Sequence, residues 1–127
     1  KTTFARGFIL EWAKLGKFPE LNYLKSQLNS PTYNIVKCYG SQNEIAHLDL
    51  YRIEEPEEFE SLDIEGYFSE SRVCLVEWAE LHPYVQSLIH SIRNNSKNYK
   101  IIEVQIRIPE TGGLLDTSRR NVSIIEA

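Results

Sequence analysis

The chain of 127 residues contains no methionine and only two cysteines, Cys38 and Cys74. Each cysteine lies in its own apolar, strand-like stretch, so the pair indicates buried, reduced thiols rather than a disulfide framework or a metal site. No apolar run reaches the roughly 18–20 residues that span a bilayer, and the first residues lack the pattern of a signal peptide. We therefore expect a cytoplasmic protein without membrane contact.

The absence of an initiator methionine and the abrupt opening on Lys1-Thr2-Thr3 lead us to expect part of a longer protein. Its length predicts one domain over residues 1–127. Acidic residues outnumber basic ones, 18 to 14, and the net charge of −4 argues against a chain that grips nucleic acid alone. Seven acidic residues crowd positions 54–65. A solvated helix face is the favoured interpretation of this run, and a docking surface for a basic partner is the alternative.

Hydrophobic periodicity predicts intermixed helices and strands, which indicates a three-layer α/β domain. Helices are predicted over 2–15, from Pro56 through 62, over a shorter stretch ending near 68, and over 83–92, with a further short helix within 17–29. Strands are predicted over 33–39 and 45–51 as a hairpin, over 73–76 as a strand buried on both faces, over 102–108, and at 122–124 as an antiparallel closing strand.

Two pieces at the start of predicted elements could bind phosphate. Lys1-Thr2 heads the first helix, where a lysine would reach the outer phosphates of a nucleotide and a hydroxyl would bind Mg²⁺. Thr32, in a Ser-Pro-Thr-Tyr loop, could face the terminal phosphate or its metal. Taken alone, Lys-Thr is a chance pattern and the loop is an ordinary proline turn, so neither piece identifies a function.

Two strand ends carry acidic side chains. His47 and Asp49 point to the same face of a strand, and a His-x-Asp metal pair is conceivable. Asp49 fits better as a carboxylate at the active-site edge of an α/β sheet. The apolar run before Glu77-Trp78 is the way in which P-loop proteins place a carboxylate beside Mg²⁺ or the attacking water.

Taken in order, five segments of the chain resemble the TsaE (YjeE) family. Its members are bacterial ATPases that help to form threonylcarbamoyladenosine next to the anticodon of certain tRNAs. The matching segments are KTTFARGF (1–8), SPTYNIV (30–36), HLDLYRIEEPEEFE (47–60), DIEGYF (63–68) and VCLVEWAE (73–80). The strand and the glycine-rich loop that precede the lysine in the family are missing from this sequence, and the stretch 17–29 is longer than the family pattern.

The resemblance implies a P-loop NTPase-type fold with a mostly parallel central sheet and antiparallel additions. It also implies ATP and Mg²⁺ as ligands. Asp49 and Glu77 would be catalytic, and Thr2 and Glu77 would hold the metal. The nucleotide-binding residues that it implies are Lys1, Thr2, Thr3, Thr32, Trp78 and Arg119.

The function implied is slow ATP hydrolysis that switches a partner transferase during threonylcarbamoyladenosine modification of tRNA. The partners would be the TsaD and TsaB subunits, with ATP and ADP as small-molecule ligands and with tRNA touched only indirectly. The alternative is a non-catalytic, P-loop-like module that docks partners through its acidic helix. A Gly-x-x-Gly-x-Gly run just before Lys1 in the full protein would favour the ATPase.

Overall fold

The structure is a computed structural model that describes residues 1–16, 28, 34–42, 44–95 and 99–126. It is a mixed α/β protein with helices and small sheets, in agreement with the predicted class. The chain divides into two compact units, Lys1–Gln86 and Ser87–Ala127. The single domain over residues 1–127 stays a prediction.

The first helix, α1, covers Thr2–Leu15 as predicted. Ala5, Ile9 and Ala13 recur every four residues and are buried, because that spacing keeps them on one face of a helix. Gly16 ends the helix, and its N–H donates to the carbonyl of Trp12 at 2.9 Å. The predicted C-cap is therefore confirmed, although Gly16 keeps a right-handed backbone with φ −75°.

A three-stranded sheet lies beside α1 in the first unit. Its strands are β1 (Val36–Tyr39), β2 (Ile45–Asp49) and β3 (Val73–Glu77), in the order β1-β2-β3. β1 and β2 form the predicted antiparallel hairpin, while β2 and β3 run parallel. Gly40 begins the connecting turn with φ 90°, a conformation that glycine adopts without the steric cost of a Cβ.

The strand register separates the two faces of this sheet. Ile45, Val73 and Leu75 share one face, and they pack with Ile9 and Ala13 of α1. On that face the residues nearest the carboxyl ends of β2 and β3 are polar. The opposite face of β2 carries fully buried apolar side chains, Ala46 and Leu48. β2 is thus buried on both faces. The polar residues at its carboxyl end lie toward the N-terminal end of α1.

Short helices follow the sheet strands. α2 covers Pro56–Leu62, as predicted, and α3 covers Ile64–Glu70, two residues past its predicted end. Asp63 joins them with φ 45°, and its carboxylate accepts a hydrogen bond from the Gly66 N–H at 3.2 Å. A 3₁₀ turn over Ala79–Leu81 precedes α4, Pro83–Asn95, which extends three residues beyond the prediction and contains the boundary between the two units.

The second unit contains two antiparallel pairs of strands. β4 (Ile102–Arg107) pairs with β7 (Asn121–Glu126), which confirms the predicted closing strand. Between them, β5 (Glu110–Thr111) and β6 (Leu114–Leu115) form a small hairpin. Its turn is Gly112-Gly113, with φ values of 61° and 80°.

Two burial predictions were wrong. Residues 73–76 of β3 are half-buried rather than buried on both faces, because among the described residues β3 has a strand neighbour on one side only. Cys38 is exposed and Cys74 half-buried, and both are free thiols. Cys38 is exposed since it lies on β1, an edge strand of the described sheet.

Three further expectations concern segment ends and length. The first two strands are shorter than predicted, since β1 begins at Val36 and β2 ends at Asp49, before the turn at Tyr51. The helix predicted within 17–29 lies outside the described residues, apart from the buried Leu28. Across the described part of the chain, every helix is too short or too polar to traverse a bilayer.

We expect Leu48→Ala to lower the free energy of unfolding of the full-length protein by about 2–5 kcal/mol, because it leaves a cavity on the face of β2 that is opposite to α1. Leu48 is fully buried. The matched control is Leu15→Ala, since Leu15 is 76% exposed at the end of α1. Urea denaturation of both variants checks this; equal losses would contradict the assignment of Leu48 to the core.

The start of α2 depends on one ionised side chain. Glu58 Oε1 accepts hydrogen bonds from the N–H groups of Glu54 and Glu55, both at 3.0 Å. These bonds hold the pKa of Glu58 below its ordinary value of 4.5. A lowered folded-state pKa means that the stabilisation is complete above the unfolded-state pKa and disappears as the pH falls through the folded-state value.

We therefore expect Glu58→Ala to destabilise the protein at pH 7 and to have a progressively smaller effect below pH 4.5, the ordinary carboxyl value. Glu57→Ala removes a neighbouring exposed carboxylate of the same helix turn and is the control. Denaturation midpoints of the two variants and the wild type, measured from pH 7 to pH 3, test this. A Glu58 effect that does not depend on pH would contradict it.

Candidate functional site

The candidate site lies where the carboxyl ends of β2 and β3 meet the first turn of α1. Asp49 ends β2 and Glu77 ends β3, and the two are paired in the parallel register. Thr2 is the first residue of α1, and no side-chain hydrogen bond from the cap residue Lys1 closes that helix end. Parallel strands deliver their terminal side chains to one sheet edge, so the fold gathers these groups although they are distant in sequence.

The carboxylate of Glu77 is the centre of this cluster. The Thr2 hydroxyl donates to Glu77 Oε2 at 3.2 Å, and His47 Nε2 lies 2.8 Å from Glu77 Oε1. His47 and Glu77 are only 5% and 7% exposed. The structure therefore brings together Thr2 and Glu77, the two predicted metal ligands, and adds His47 as a buried third member.

Burial raises the pKa of Glu77, as it does for any carboxyl removed from water. The hydrogen bond and the charge of His47, followed by the hydrogen bond from Thr2, more than reverse this, and the pKa of Glu77 ends below its ordinary value. Glu77 is consequently ionised at neutral pH. A buried, fixed negative charge of this kind can bind a cation or orient a water molecule.

Asp49 lies on the same sheet face as Glu77 but is less buried. Its Oδ1 accepts a hydrogen bond from the Tyr51 N–H at 3.2 Å, which shapes the turn after β2. The Leu50 N–H donates to the Glu77 carbonyl at 3.2 Å, so the backbones stay joined where the strands end. These contacts keep Asp49 at the sheet edge, the position predicted for it.

Lys1 is held by two contacts. It donates to the carboxylate of Glu80, and its Nζ lies 3.6 Å from the centroid of the Trp78 ring. Trp78 itself has a left-handed backbone, φ 65°, and its ring packs against Tyr51 with centroids 4.9 Å apart. Partial burial raises the pKa of Glu80, but the hydrogen bond from Lys1, together with a backbone hydrogen bond and the nearby positive charge of Lys1, leaves that pKa below its ordinary value.

The remaining predicted site residues are placed as follows. Thr3 is exposed in the first turn of α1, next to Thr2. Thr32 lies outside the described residues. Arg119 is in the second unit, where its Nε is 3.5 Å from Asp116 Oδ2. The roles predicted for these three residues stay predictions.

The oxygen atoms of this cluster suit Mg²⁺, which prefers carboxylate and hydroxyl ligands. Among the described residues, no group of three His, Cys, Asp or Glu side chains is placed to hold a metal ion. Mg²⁺ commonly takes one or two protein oxygens and completes its shell with water and substrate phosphates. The hydroxyl of Thr2 and the carboxylate of Glu77 are a sufficient protein share for such a site.

The chain is similar in sequence to proteins of one known family. The family model described as threonylcarbamoyl adenosine biosynthesis protein TsaE matches residues 1–108. The chain belongs to the TsaE family. Every residue of the candidate site in the first unit falls within the matched region of this TsaE chain.

Three relatives, each named tRNA threonylcarbamoyladenosine biosynthesis protein TsaE, illustrate the similarity. The Haemophilus influenzae protein is 37% identical over 63% of this chain, and the Bacillus subtilis protein is 40% identical over 64%. The matches cover 45% and 44% of those relatives, so this TsaE chain spans less than half their length. The Borreliella burgdorferi protein is 32% identical over 80% of this chain and 66% of its own. No solved structure gives a significant match.

Two residues of the candidate site are not predicted from the sequence. From the sequence, His47 is predicted only as half of a metal pair with Asp49, whereas in the structure its ring contacts Glu77. The sequence predicts no role for Glu80, although it binds Lys1. The sequence signal for His47 is its spacing of two residues from Asp49, which places both side chains on one face of a strand. That signal points to Glu77 only when β2 and β3 are known to be parallel neighbours.

We expect Thr2→Val to lower the free energy of unfolding of the full-length protein by about 1.5–3 kcal/mol, because it removes a hydrogen bond to a buried carboxylate without changing side-chain shape. The control is Thr3→Val, an identical change one residue later at an exposed position. We expect that control to change stability by less than about 0.5 kcal/mol. Urea denaturation at pH 7 measures both, and equal losses would contradict the Thr2–Glu77 contact.

Proposed function

We propose that the full protein binds MgATP at the junction of α1 with β2 and β3 and hydrolyses it slowly. The observation that carries this proposal is the contact between the Thr2 hydroxyl and the Glu77 carboxylate. A hydroxyl at a helix N-terminus beside an acidic strand end is how P-loop proteins hold Mg²⁺ against nucleotide phosphates. The P-loop NTPase-type arrangement of the whole domain is part of the same proposal.

Mg²⁺, when bound, neutralises charge on the phosphates and orients them. Thr2 and Glu77 would hold it, with Glu77 kept ionised by His47. The backbone N–H groups in the first turn of a helix have no partners within the helix, so those of α1 would suit a phosphate oxygen. Lys1 would leave Glu80 to reach the outer phosphates. Asp49 would orient the water that attacks the terminal phosphorus, and the bond to the ADP oxygen would break.

Phosphoryl transfer needs positioned charges more than covalent help from the protein, so a carboxylate can matter more for turnover than for binding. We propose that turnover in the cytosol switches a partner transferase during threonylcarbamoyladenosine formation on tRNA. This step is taken from the names of the relatives and from the resemblance of the five segments. TsaD and TsaB are the partners proposed, with tRNA reached through them.

A second candidate function is a non-catalytic module that docks partners through α2. It is favoured by the exposure of the acidic side chains Glu54, Glu57 and Glu60 around that helix. The two candidates differ in one measurable property, since only the first requires ATP turnover. Hydrolysis by the full-length protein, with and without TsaD and TsaB, separates them: partner binding without any ATP binding or turnover would favour the module.

We expect Glu77→Ala in the full-length protein to keep ATP binding or weaken it slightly while hydrolysis falls by roughly a hundredfold or more. The reason is that Glu77 supplies a metal ligand and the local charge, whereas the phosphates retain their helix and lysine contacts. The matched control is Glu57→Ala, which removes an exposed carboxylate of α2.

Nucleotide affinity by calorimetry and phosphate release under saturating ATP test this prediction, with circular dichroism as a check on folding. A Glu77→Ala protein that hydrolyses ATP at the wild-type rate would remove Glu77 from the mechanism. A Glu57→Ala protein that loses activity to the same extent would show that the loss reflects charge in general rather than this position.

A further inference from the structure

His47 is a polar residue beside apolar ones on the face of β2 that packs toward α1, and Asp49 follows it on the same face. Its neighbours on that face, Ile45 in β2 and Leu75 in β3, are apolar and pack toward α1. An aliphatic side chain at position 47 would suit that packing. His47 is nevertheless 5% exposed and has its Nε2 2.8 Å from Glu77 Oε1.

The chemistry of the two groups decides which of them donates the hydrogen bond. A carboxylate has no proton to donate, so His47 Nε2 carries the hydrogen and Glu77 Oε1 accepts it. The other oxygen, Oε2, accepts from the Thr2 hydroxyl at 3.2 Å. Each oxygen of Glu77 therefore has its own donor, one from β2 and one from α1, and rotation of the carboxylate would break both bonds.

The pairing of β2 with β3 explains why His47 can reach Glu77. In the parallel ladder His47 is paired with Leu75 and Asp49 with Glu77, so the ring of His47 reaches diagonally to Glu77, two residues along β3 from its own ladder partner. The strand pairing keeps this two-residue offset constant, since sliding either strand by one residue would turn its side chains to the opposite face. His47 thus acts from a rigid element rather than from a loop.

We propose that His47 is a positioning residue: its Nε2–H holds Glu77 Oε1 so that Oε2 faces the Thr2 hydroxyl, the group with which Glu77 would hold the metal. This inference rests on the proposed MgATP function and deepens it, because it identifies what orients the metal-binding carboxylate. Hydrogen-bond donors behind metal ligands typically alter metal affinity or activity by roughly 10–100-fold when they are removed.

Three variants of the full-length protein test the proposal. His47→Gln retains an N–H donor near the position of Nε2, while His47→Asn is polar but too short to reach Glu77. His47→Leu removes the donor and keeps apolar packing. The control is His90→Leu, because His90 is exposed on α4 and its ring contacts Asn94 of the same helix.

Two readouts distinguish positioning from a merely structural role. The first is kcat and KM for MgATP hydrolysis. The second, independent of turnover, is the affinity of the protein–ADP complex for Mn²⁺ by electron paramagnetic resonance, with ADP affinity in EDTA as reference. We expect His47→Leu and His47→Asn to lose about 10–100-fold in kcat and in Mn²⁺ affinity, with KM and metal-free ADP affinity nearly unchanged.

We expect His47→Gln to regain most of both losses and His90→Leu to behave as the wild type. Wild-type kcat and Mn²⁺ affinity in His47→Asn would overturn the proposal, and so would a Gln variant as impaired as the Asn variant. The Asn–Gln comparison decides the matter even if His47→Leu does not fold. A wild-type protein that neither binds nor hydrolyses MgATP would instead refute the proposed function, and the positioning role with it.

Discussion

The buried carboxylate of Glu77 is the constraint on which the first unit depends. A charge at 7% exposure costs free energy unless donors replace the water that it has lost, and His47 and Thr2 are those donors. These two hydrogen bonds require α1, β2 and β3 to lie next to one another. β2 must run parallel to β3 for His47 to reach Glu77, and α1 must begin beside the sheet edge for Thr2 to do so.

The same constraint explains how the face of the sheet under α1 is divided. At the amino ends of β2 and β3 this face is apolar, with Ile45 and Val73 packed against Ile9, and this contact holds the helix in place. At the carboxyl ends of the same two strands the face is polar. The apolar packing and the polar cluster share one helix and one sheet face, so the stability of the core and the geometry of the site are set by the same elements.

Lys1 shows how charge is compensated at the rim of the site. Its ammonium group is bound by the Glu80 carboxylate and the face of the Trp78 ring. Trp78 takes a left-handed backbone at this point, a conformation uncommon for a large side chain and frequent at functional sites. The turn after β3 thus presents an aromatic ring and a carboxylate to the same cation. A phosphate ligand would compete with both for Lys1.

Much of this arrangement could be predicted from the sequence. The helical spacing of Phe4, Phe8, Trp12 and Leu15 predicts α1, and Pro56 in an acidic run predicts the start of α2. The buried face of α1 nevertheless carries Ala5, Ile9 and Ala13, and both Phe4 and Leu15 are exposed. Asp49 and Glu77 could be identified as acidic strand ends because each follows an apolar run. The half-burial of residues 73–76 and the exposure of Cys38 could not be predicted, since they depend on which strands are neighbours.

By itself, then, the sequence determined the local elements, the family and the chemistry available at each element's end. Only the tertiary structure decided which of those ends meet. The contact between His47 and Glu77 joins residues 30 positions apart, and that between Thr2 and Glu77 joins residues 75 apart. Periodicity carries information over a few residues, whereas the pairing of β2 with β3 and the docking of α1 follow from burial summed over the whole unit.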